Sequence, residues 1–168
     1  LLRWQHPEKG MIPPFRFIPL MEALGFIGAL GEWVLREACT QMKAFEASGL
    51  KLPKVAVNVS ALQFNPAFIR SVKEILRETG LEPSKLELEL TEGVVMDDAS
   101  ATIRALAELK DMGVSLSIDD FGTGYSSLNH LKRFPISIVK IDRSFIRDIT
   151  TDSDDAAIVS AIIAMAHN

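Results

Sequence analysis

Short apolar runs alternate along this chain with longer stretches in which apolar residues recur at helical spacing. Apolar residues at every second position predict a strand, and apolar residues three or four positions apart predict a helix. The strands predicted in this way cover residues 55–59, 85–90, 114–118 and 136–141. The opening residues 1–4 look like the end of a further strand. Residues 10–20 are rich in proline and apolar residues, which predicts an ordered loop that leads into a helix.

Helical patterns fill most of the chain between these strands. The first predicted helix spans residues 28–48 and ends at Gly49, and its apolar face carries Leu30, Trp33, Val34, Ala38 and Met42. A second begins at Pro66, carries Phe68, Val72, Ile75 and Leu76, and ends at Gly80. Further helices are predicted over residues 98–112, with Ile103, Leu106 and Leu109 inward, over residues 126–133, and after the acidic start at residues 152–155.

The alternation of strands and helices predicts a parallel sheet with right-handed crossover connections. Two α/β architectures have this pattern: an open doubly wound sheet and a closed barrel. No GxGxxG or Walker motif follows any of the strands, which argues against the nucleotide-binding open sheets. We therefore predict an α/β fold of the TIM-like (β/α)8 barrel class, incomplete here, with about five of the eight βα units present.

Composition narrows the class of protein and its partners. The chain has 168 residues, of which 48% are hydrophobic and 24% charged, as in a globular domain. The formal net charge is −4 without a basic stripe, which argues against a nucleic-acid duplex as a partner. The single Cys39 excludes an internal disulfide framework and predicts a reducing, cytoplasmic location, with the thiol buried in an amphipathic helix. No apolar run approaches the length of a membrane span.

Candidate functional side chains cluster where the predicted strands end. Two adjacent carboxylates, Asp119 and Asp120, directly follow residues 114–118, and a glycine-containing turn follows them. Because side chains alternate between the faces of a strand, three other polar groups are predicted near the carboxyl ends of their strands. These groups are Asn58, Glu89 and Lys140. Active sites of barrel enzymes lie at this end of the strands.

The residue types suit a hard divalent cation. Asn58, Glu89, Asp119 and Asp120 all offer oxygen ligands, which Mg²⁺ or Mn²⁺ prefers. No histidine falls at a strand end, which argues against zinc. With two ions, Asp119 is the natural bridging ligand and Asp120 serves the second metal, while Lys140 orients a metal-bound water or a phosphate.

Each of these residues also has a structural alternative. The acidic pair is compatible with a solvated turn, Asn58 with a strand-end cap and Lys140 with a solvated charge at a sheet edge. Glu87 and Glu89, which share a face of one strand, are compatible with pairing to basic residues inside a barrel. The joint occurrence of polar groups at successive strand ends favours a site over these alternatives.

At these residues the sequence closely resembles the EAL family of bacterial cyclic di-GMP phosphodiesterases. The similarity runs through Leu1-Leu2-Arg3-Trp4, Phe17-Ile18-Pro19-Leu20, Ala56-Val57-Asn58-Val59-Ser60, Glu87-Leu88-Glu89-Leu90-Thr91-Glu92, residues 119–128 and Lys140-Ile141-Asp142-Arg143-Ser144-Phe145. The resemblance implies a TIM-like barrel that hydrolyses cyclic di-GMP to linear pGpG with two metal ions, Mg²⁺ or Mn²⁺.

The resemblance also assigns residue roles. It implies Asn58, Glu89 and Asp119 as metal ligands, Asp120 at the second metal, Lys140 at the catalytic water and Arg3 at a substrate phosphate. The resemblance further implies that Glu92 anchors a regulatory loop that couples metal binding, substrate binding and dimerisation. That loop contains Phe121, Gly122, Thr123, Gly124, Tyr125, Ser126 and Ser127.

Relative to the family pattern, residues 1–168 correspond to a partial EAL domain. The Glu-Ala that opens the family signature and the last three strands have no counterpart here. We expect this stretch by itself to be inactive and poorly soluble, with open sheet edges. The resemblance also implies a homodimer of the complete domain and fused GGDEF or sensory domains, and it is compatible with membrane anchoring of the parent protein through other domains.

Two other functions compete with cyclic di-GMP hydrolysis. The first is a degenerate EAL domain that senses cyclic di-GMP without cleaving it. The second, which does not depend on the family, is a barrel enzyme that stabilises an enolate with Mg²⁺ and uses Lys140 as the base.

Overall fold

The computed structural model describes residues 2–91, 93, 99–122 and 133–166. The chain divides into two compact units. The first combines Leu1–Leu52 with Leu62–Leu81, and the second combines Pro53–Ala61 with Glu82–Asn168. None of the described helices is both long and apolar enough to cross a membrane.

The first unit opens with an antiparallel hairpin. Strand β1, Trp4–His6, pairs with β2, Gly10–Ile12. The imidazole Nδ1 of His6 accepts the backbone N–H groups of Glu8 at 3.1 Å and Lys9 at 3.2 Å, which closes the turn. The prediction for this region was wrong in three respects: the strand begins at Trp4 rather than ending there, His6 lies at a strand end although no histidine was expected at one, and residues 10–12 are a strand rather than a loop. Pro7 and Gly10, whose φ is 67°, are the turn residues that could have revealed the hairpin.

Two helices follow the hairpin, α1 at Pro14–Ala23 and α2 at Ile27–Ala47. The length of α2 is as predicted, but its buried face is only partly so: of the residues predicted to face inward, Met42 is buried. The buried positions are Ile27, Gly31, Leu35, Cys39 and Met42. Trp33, predicted to face inward, is 52% exposed. The small residues on the buried face allow close packing, which a pattern based on large apolar residues overlooks. Cys39 is buried as predicted, and burial raises the pKa of its thiol to about 11.

Helix α3, Pro66–Thr79, has the limits and the inward face that the sequence predicted. The side chain of Asn65 caps it by accepting the backbone N–H groups of Ala67 and Phe68, at 2.9 and 3.1 Å. Gly80 ends it in the left-handed conformation, with φ of 65°. Helices α2 and α3 pack together within this unit, and the Glu32 carboxylate accepts a hydrogen bond from the Ser71 hydroxyl across them at 3.2 Å.

The second unit contains a parallel sheet. Its strands are β3 at Val55–Val59, β4 at Leu86–Thr91, β5 at Ser115–Phe121 and β6 at Ile138–Ile141, in the order β3-β4-β5-β6. All four predicted strands are confirmed, although β5 continues three residues beyond its predicted end. The parallel sheet therefore has four strands in the described residues, not the five expected, because β1 belongs to the hairpin. Within the same residues β3 and β6 are each paired on one side only.

The helices of the second unit are α4 at Ala99–Asp111, α5 at Arg143–Arg147 and α6 at Ser153–Ala166. Short 3-10 helices lie at Ala61–Gln63, where the two units meet in sequence, and at Pro83–Lys85. The acidic start predicted for α6 is confirmed: the Asp152 carboxylate accepts the N–H groups of Asp154 at 2.8 Å and Asp155 at 3.4 Å. The short α5 was not predicted, and the helix expected over residues 126–133 falls mostly outside the described residues.

The core of the second unit lies on the apolar face of the sheet. Leucines alternate with glutamates along β4, and β5 contributes Leu116 and Ile118 beside them. The fully buried side chains here are Leu86, Leu88, Leu90, Leu116, Ile118 and, from α4, Leu106 and Leu109. The opposite face of the same strands is thereby reserved for polar side chains.

We expect Leu116→Ala to destabilise the protein strongly. Leu116 is 0% exposed, so its truncation leaves a cavity and should lower the free energy of unfolding by about 2–5 kcal/mol. The control is Ile163→Ala, at a position in α6 that is 47% exposed. Urea denaturation measures both variants, and equal losses would contradict the assignment of the core.

Candidate active site

Polar side chains from strands β3, β4 and β6 contact one another on the polar face of the sheet. Asn58 on β3 donates from Nδ2 to Glu89 Oε2 on β4 at 2.8 Å. Lys140 on β6 donates from Nζ to Glu89 Oε1 and lies 3.3 Å from Glu87 Oε1. These contacts bring together three of the residues that the sequence analysis selected.

Strand register explains why these side chains meet. Asn58 pairs with Glu89, and Glu89 pairs with Ser117 on β5. Ser117 in turn pairs with Ile138, two residues before Lys140. Because residues two apart on a strand face the same side, Glu87 and Lys140 lie on the same polar face. The alternating pattern of β4 thus places the carboxylates of Glu87 and Glu89 on the same face as the polar groups of the neighbouring strands.

Burial makes these contacts energetically necessary. Glu87 is 8% exposed, Glu89 is 9% exposed and Ser117 is fully buried. A buried carboxylate requires an opposite charge or hydrogen-bond donors. Lys140 contacts both carboxylates, and the Ser117 hydroxyl donates to Glu87 Oε1 at 2.9 Å. Partial burial acts to lower the pKa of Lys140, but hydrogen bonds and charge from Glu89 and Glu87 outweigh it, so the pKa is raised.

Two structural alternatives for this group are thereby decided. Lys140 is not a solvated edge charge, because its ammonium is held between two carboxylates. The pairing of Glu87 and Glu89 with a basic residue is present, and the basic residue is Lys140 itself. Lys140, Glu87 and Glu89 thus form one connected group near the strand ends.

The acidic pair lies within the end of β5 rather than in a turn after it. The register with β6 shifts between Ile118 and Phe121, and Asp120 has φ of 52°, a conformation that few residues other than glycine adopt easily. This irregularity makes Asp119 and Asp120 depart from strict alternation. The predicted turn comes later, at Gly122, whose φ is 103°.

Negative charge accumulates around Asp120. Its pKa is raised by burial, then by the charges of Asp119 and Asp142, a hydrogen bond with Asp142 and the charge of Glu89. Asp142 is stabilised as an anion, with a lowered pKa, first by the side chain and backbone N–H of Ser144, which it caps at the start of α5. Asp142 was missed as a site residue, although its position two residues after Lys140 is the signal that could have revealed it.

The donors fit a hard divalent cation in type. Asn58, Glu89, Asp119 and Asp120 present oxygen ligands. The pKa of Asp120 is raised first by burial and then by neighbouring negative charges, which a cation would relieve. In the part of the chain that the structure describes, however, no three His, Cys, Asp or Glu side chains are arranged to hold a metal ion. Instead, Glu89 is engaged by Asn58 and Lys140.

The remaining predicted site residues are placed as follows. Arg3 belongs to the first compact unit, where it is exposed and donates to the Leu2 carbonyl at 2.8 Å. Phe121 is buried at the end of β5. A side chain at Gly122 would lie 2.8 Å from the Phe145 ring, so this position requires glycine for space as well as for its φ. Glu92 and the loop residues Thr123, Gly124, Tyr125, Ser126 and Ser127 lie outside the described residues.

The fold and site define a protein of the parallel α/β class, with a carboxylate-rich, lysine-containing site at the carboxyl ends of its strands. A model of the EAL domain matches residues 1–168, and the chain belongs to the EAL domain family. EAL domains have a TIM-like barrel, and the four parallel strands seen here are consistent with part of such a barrel. This confirms the predicted fold class and the family resemblance.

Two relatives from Pseudomonas aeruginosa illustrate the similarity. The chain is 55% identical over 166 residues to the bifunctional diguanylate cyclase/cyclic di-GMP phosphodiesterase MucR, covering 98% of this chain and 24% of MucR. It is 47% identical over 167 residues to the cyclic di-GMP phosphodiesterase NbdA, covering 99% of this chain and 21% of NbdA. The chain thus spans about a quarter or less of the length of these curated relatives.

A solved structure supports the same family. The PaMucR phosphodiesterase in complex with c-di-GMP superimposes with a TM-score of 0.93 at 53% identity. The match covers 99% of this chain and 68% of that one. The similarity therefore extends over both compact units of the chain.

We expect Asp120→Asn to stabilise the metal-free protein at neutral pH. The raised pKa means that the folded state keeps a proton that the unfolded state releases just above the ordinary value of 3.8. Folding stability from this group is therefore lost as pH rises through the raised pKa, and asparagine avoids that loss. Asparagine also tolerates the left-handed backbone.

Urea denaturation in the presence of a chelator measures this effect. The stability gain should be present at pH 7 and should disappear below about pH 3, where aspartic acid is neutral in both states. Glu74→Gln, at an exposed position on α3, is the control for removing a negative charge. A gain that is the same at pH 3 and pH 7 would show that ionisation of Asp120 is not its cause.

Proposed function

We propose that the protein is a metal-dependent phosphodiesterase that hydrolyses cyclic di-GMP to linear pGpG. The observation that carries the proposal is the connected group of Asn58, Glu89 and Lys140 at the strand ends, next to the carboxylates of Asp119 and Asp120. Support also comes from the relatives MucR and NbdA, whose names describe cyclic di-GMP phosphodiesterases.

The proposed metal ligands are Asn58, Glu89 and Asp119, with Asp120 at a second ion. Mg²⁺ and Mn²⁺ suit this all-oxygen set, and when bound they would activate water and neutralise charge on the phosphodiester. Glu89 would hold the cation with a carboxylate that here accepts hydrogen bonds from Asn58 and Lys140. The carboxylates around Asp120 would favour cation binding, because a cation would relieve their mutual repulsion.

Lys140 is the proposed group that orients the attacking water. Its ammonium is a donor only, and its raised pKa keeps it charged at neutral pH. A fixed positive charge at this position attracts the lone pairs of a water or the anionic oxygens of a phosphate. The other proposed roles, Arg3 at a substrate phosphate and Glu92 as the anchor of the loop at residues 121–128, rest on the family resemblance.

We further infer that the domain works as a homodimer within a longer protein that includes GGDEF or sensory domains. The name of MucR joins a diguanylate cyclase to the phosphodiesterase, and this chain covers only 24% of MucR. Dimerisation is an expectation from the family.

Turnover of cyclic di-GMP tests the proposed function. With Mg²⁺ or Mn²⁺ the longer protein that contains residues 1–168 should form pGpG, detected by chromatography, and a chelator should abolish product formation reversibly. Asp119→Asn should lower kcat by at least about 100-fold, the scale seen when one electrostatic group at a reacting centre is removed. The matched control is Asp111→Asn, at an exposed position at the end of α4, which should retain activity.

The outcomes separate the competing functions. Activity of Asp119→Asn equal to that of the unmutated protein would overturn the metal assignment. Binding of cyclic di-GMP without turnover would instead identify a sensor. An enolate-forming enzyme would show neither binding nor turnover of this nucleotide.

A further inference from the structure

Glu87 is a buried carboxylate to which the proposed function gives no role. It lies two residues before Glu89 on the same face of β4 and is 8% exposed. Its Oε1 atom has two partners, the Ser117 hydroxyl at 2.9 Å and the Lys140 ammonium at 3.3 Å. Buried ion pairs contribute little net stability compared with apolar residues of similar size, so this arrangement calls for another physical explanation.

The geometry of the sheet shows what the contact accomplishes. Lys140 lies on β6 and Glu87 on β4, so the lysine side chain must extend across the intervening strand β5. The residue on β5 at this crossing is Ser117, which is fully buried and one of the smallest side chains. Its size leaves room for the lysine, and its hydroxyl fixes the Glu87 oxygen that faces the ammonium.

Glu87 and Glu89, the two carboxylates that contact Lys140, differ in their proposed roles. Under the proposed function, on which this inference rests, Glu89 also coordinates a metal ion. A carboxylate engaged by a divalent cation attracts a neighbouring ammonium less strongly, because its charge is already compensated. Glu87 has no proposed metal role and stays available to Lys140.

We propose that Glu87, with Ser117 behind it, is the positioning residue for Lys140. It holds the ammonium at the strand ends when Glu89 is engaged by metal. Glu87 acts through Lys140 and does not itself touch the substrate. The position of the lysine therefore depends on a side chain deeper in the sheet than any of the proposed metal ligands.

A double-mutant cycle tests this coupling. In the protein with bound Mg²⁺, Glu87→Gln should lower kcat by about 10- to 100-fold, the range typical of residues that orient a catalytic group, and change KM by less than about 2-fold. In a Lys140→Ala background the same substitution should have almost no further effect, because its target is gone. Glu108→Gln, at an exposed position on α4, is the matched control.

Substitutions at Ser117 provide an independent test if Glu87→Gln folds poorly. Ser117→Ala removes the hydroxyl but keeps the space, so it should lower kcat modestly. Ser117→Val fills the crossing and should lower kcat more. In the Lys140→Ala background the two Ser117 substitutions should no longer differ in their effect on kcat. Circular dichroism verifies that each variant is folded.

A readout without turnover separates this proposal from the proposed function. Acetic anhydride labels exposed amines, and peptide mass spectrometry quantifies the label on Lys140. In the Mg²⁺-containing protein, Glu87→Gln should increase the labelling rate of Lys140 several-fold while leaving Lys73, an exposed lysine on α3, unchanged.

The outcomes are distinct. If the parent protein does not hydrolyse cyclic di-GMP, the proposed function fails, and the labelling rate alone decides the positioning role. Equal losses of kcat from Glu87→Gln in the parent and Lys140→Ala backgrounds, or an unchanged labelling rate of Lys140, would show that Glu87 serves the fold only.

Discussion

The second compact unit depends on one ammonium shared by two buried carboxylates. Glu87 and Glu89 point to the same face of β4, away from the leucines that build the core, and both are almost fully buried. Without Lys140 this face would carry two uncompensated charges inside the protein, which is strongly unfavourable. Parallel pairing of β4, β5 and β6 brings the lysine within reach, so sheet register and charge compensation support each other.

At the end of β5, in contrast, several carboxylates lie close together. There Asp120 adopts a left-handed backbone, hydrogen-bonds Asp142 and lies near the like charges of Asp119, Asp142 and Glu89. Backbone strain and repulsion between like charges both cost stability, and such features concentrate at functional sites. The site thus combines carboxylates that are paired with a lysine and a cluster of like charges at the end of β5.

Sequence patterns predicted the regular elements well where local signals were strong. Asn65, Pro66 and Gly80 mark the limits of α3, and the four strands of the sheet were predicted from apolar alternation. Two errors have different causes. Trp33 is exposed because the buried face of α2 includes the small residues Gly31 and Cys39. The hairpin was missed although Gly10 and the His6 side chain that closes its turn are local features.

The sequence alone determined the residue types of the site and their places near strand ends, because side-chain alternation and strand order follow from local patterns. It also pointed to the EAL family through Asn58, Glu89, Asp119 and Lys140. Only the tertiary structure decided which of these groups touch. It paired Lys140 with both glutamates, placed Ser117 beneath them, and brought Asp142 beside Asp120. Those contacts depend on the register of strands far apart in sequence and on the irregularity in β5, which no local pattern encodes.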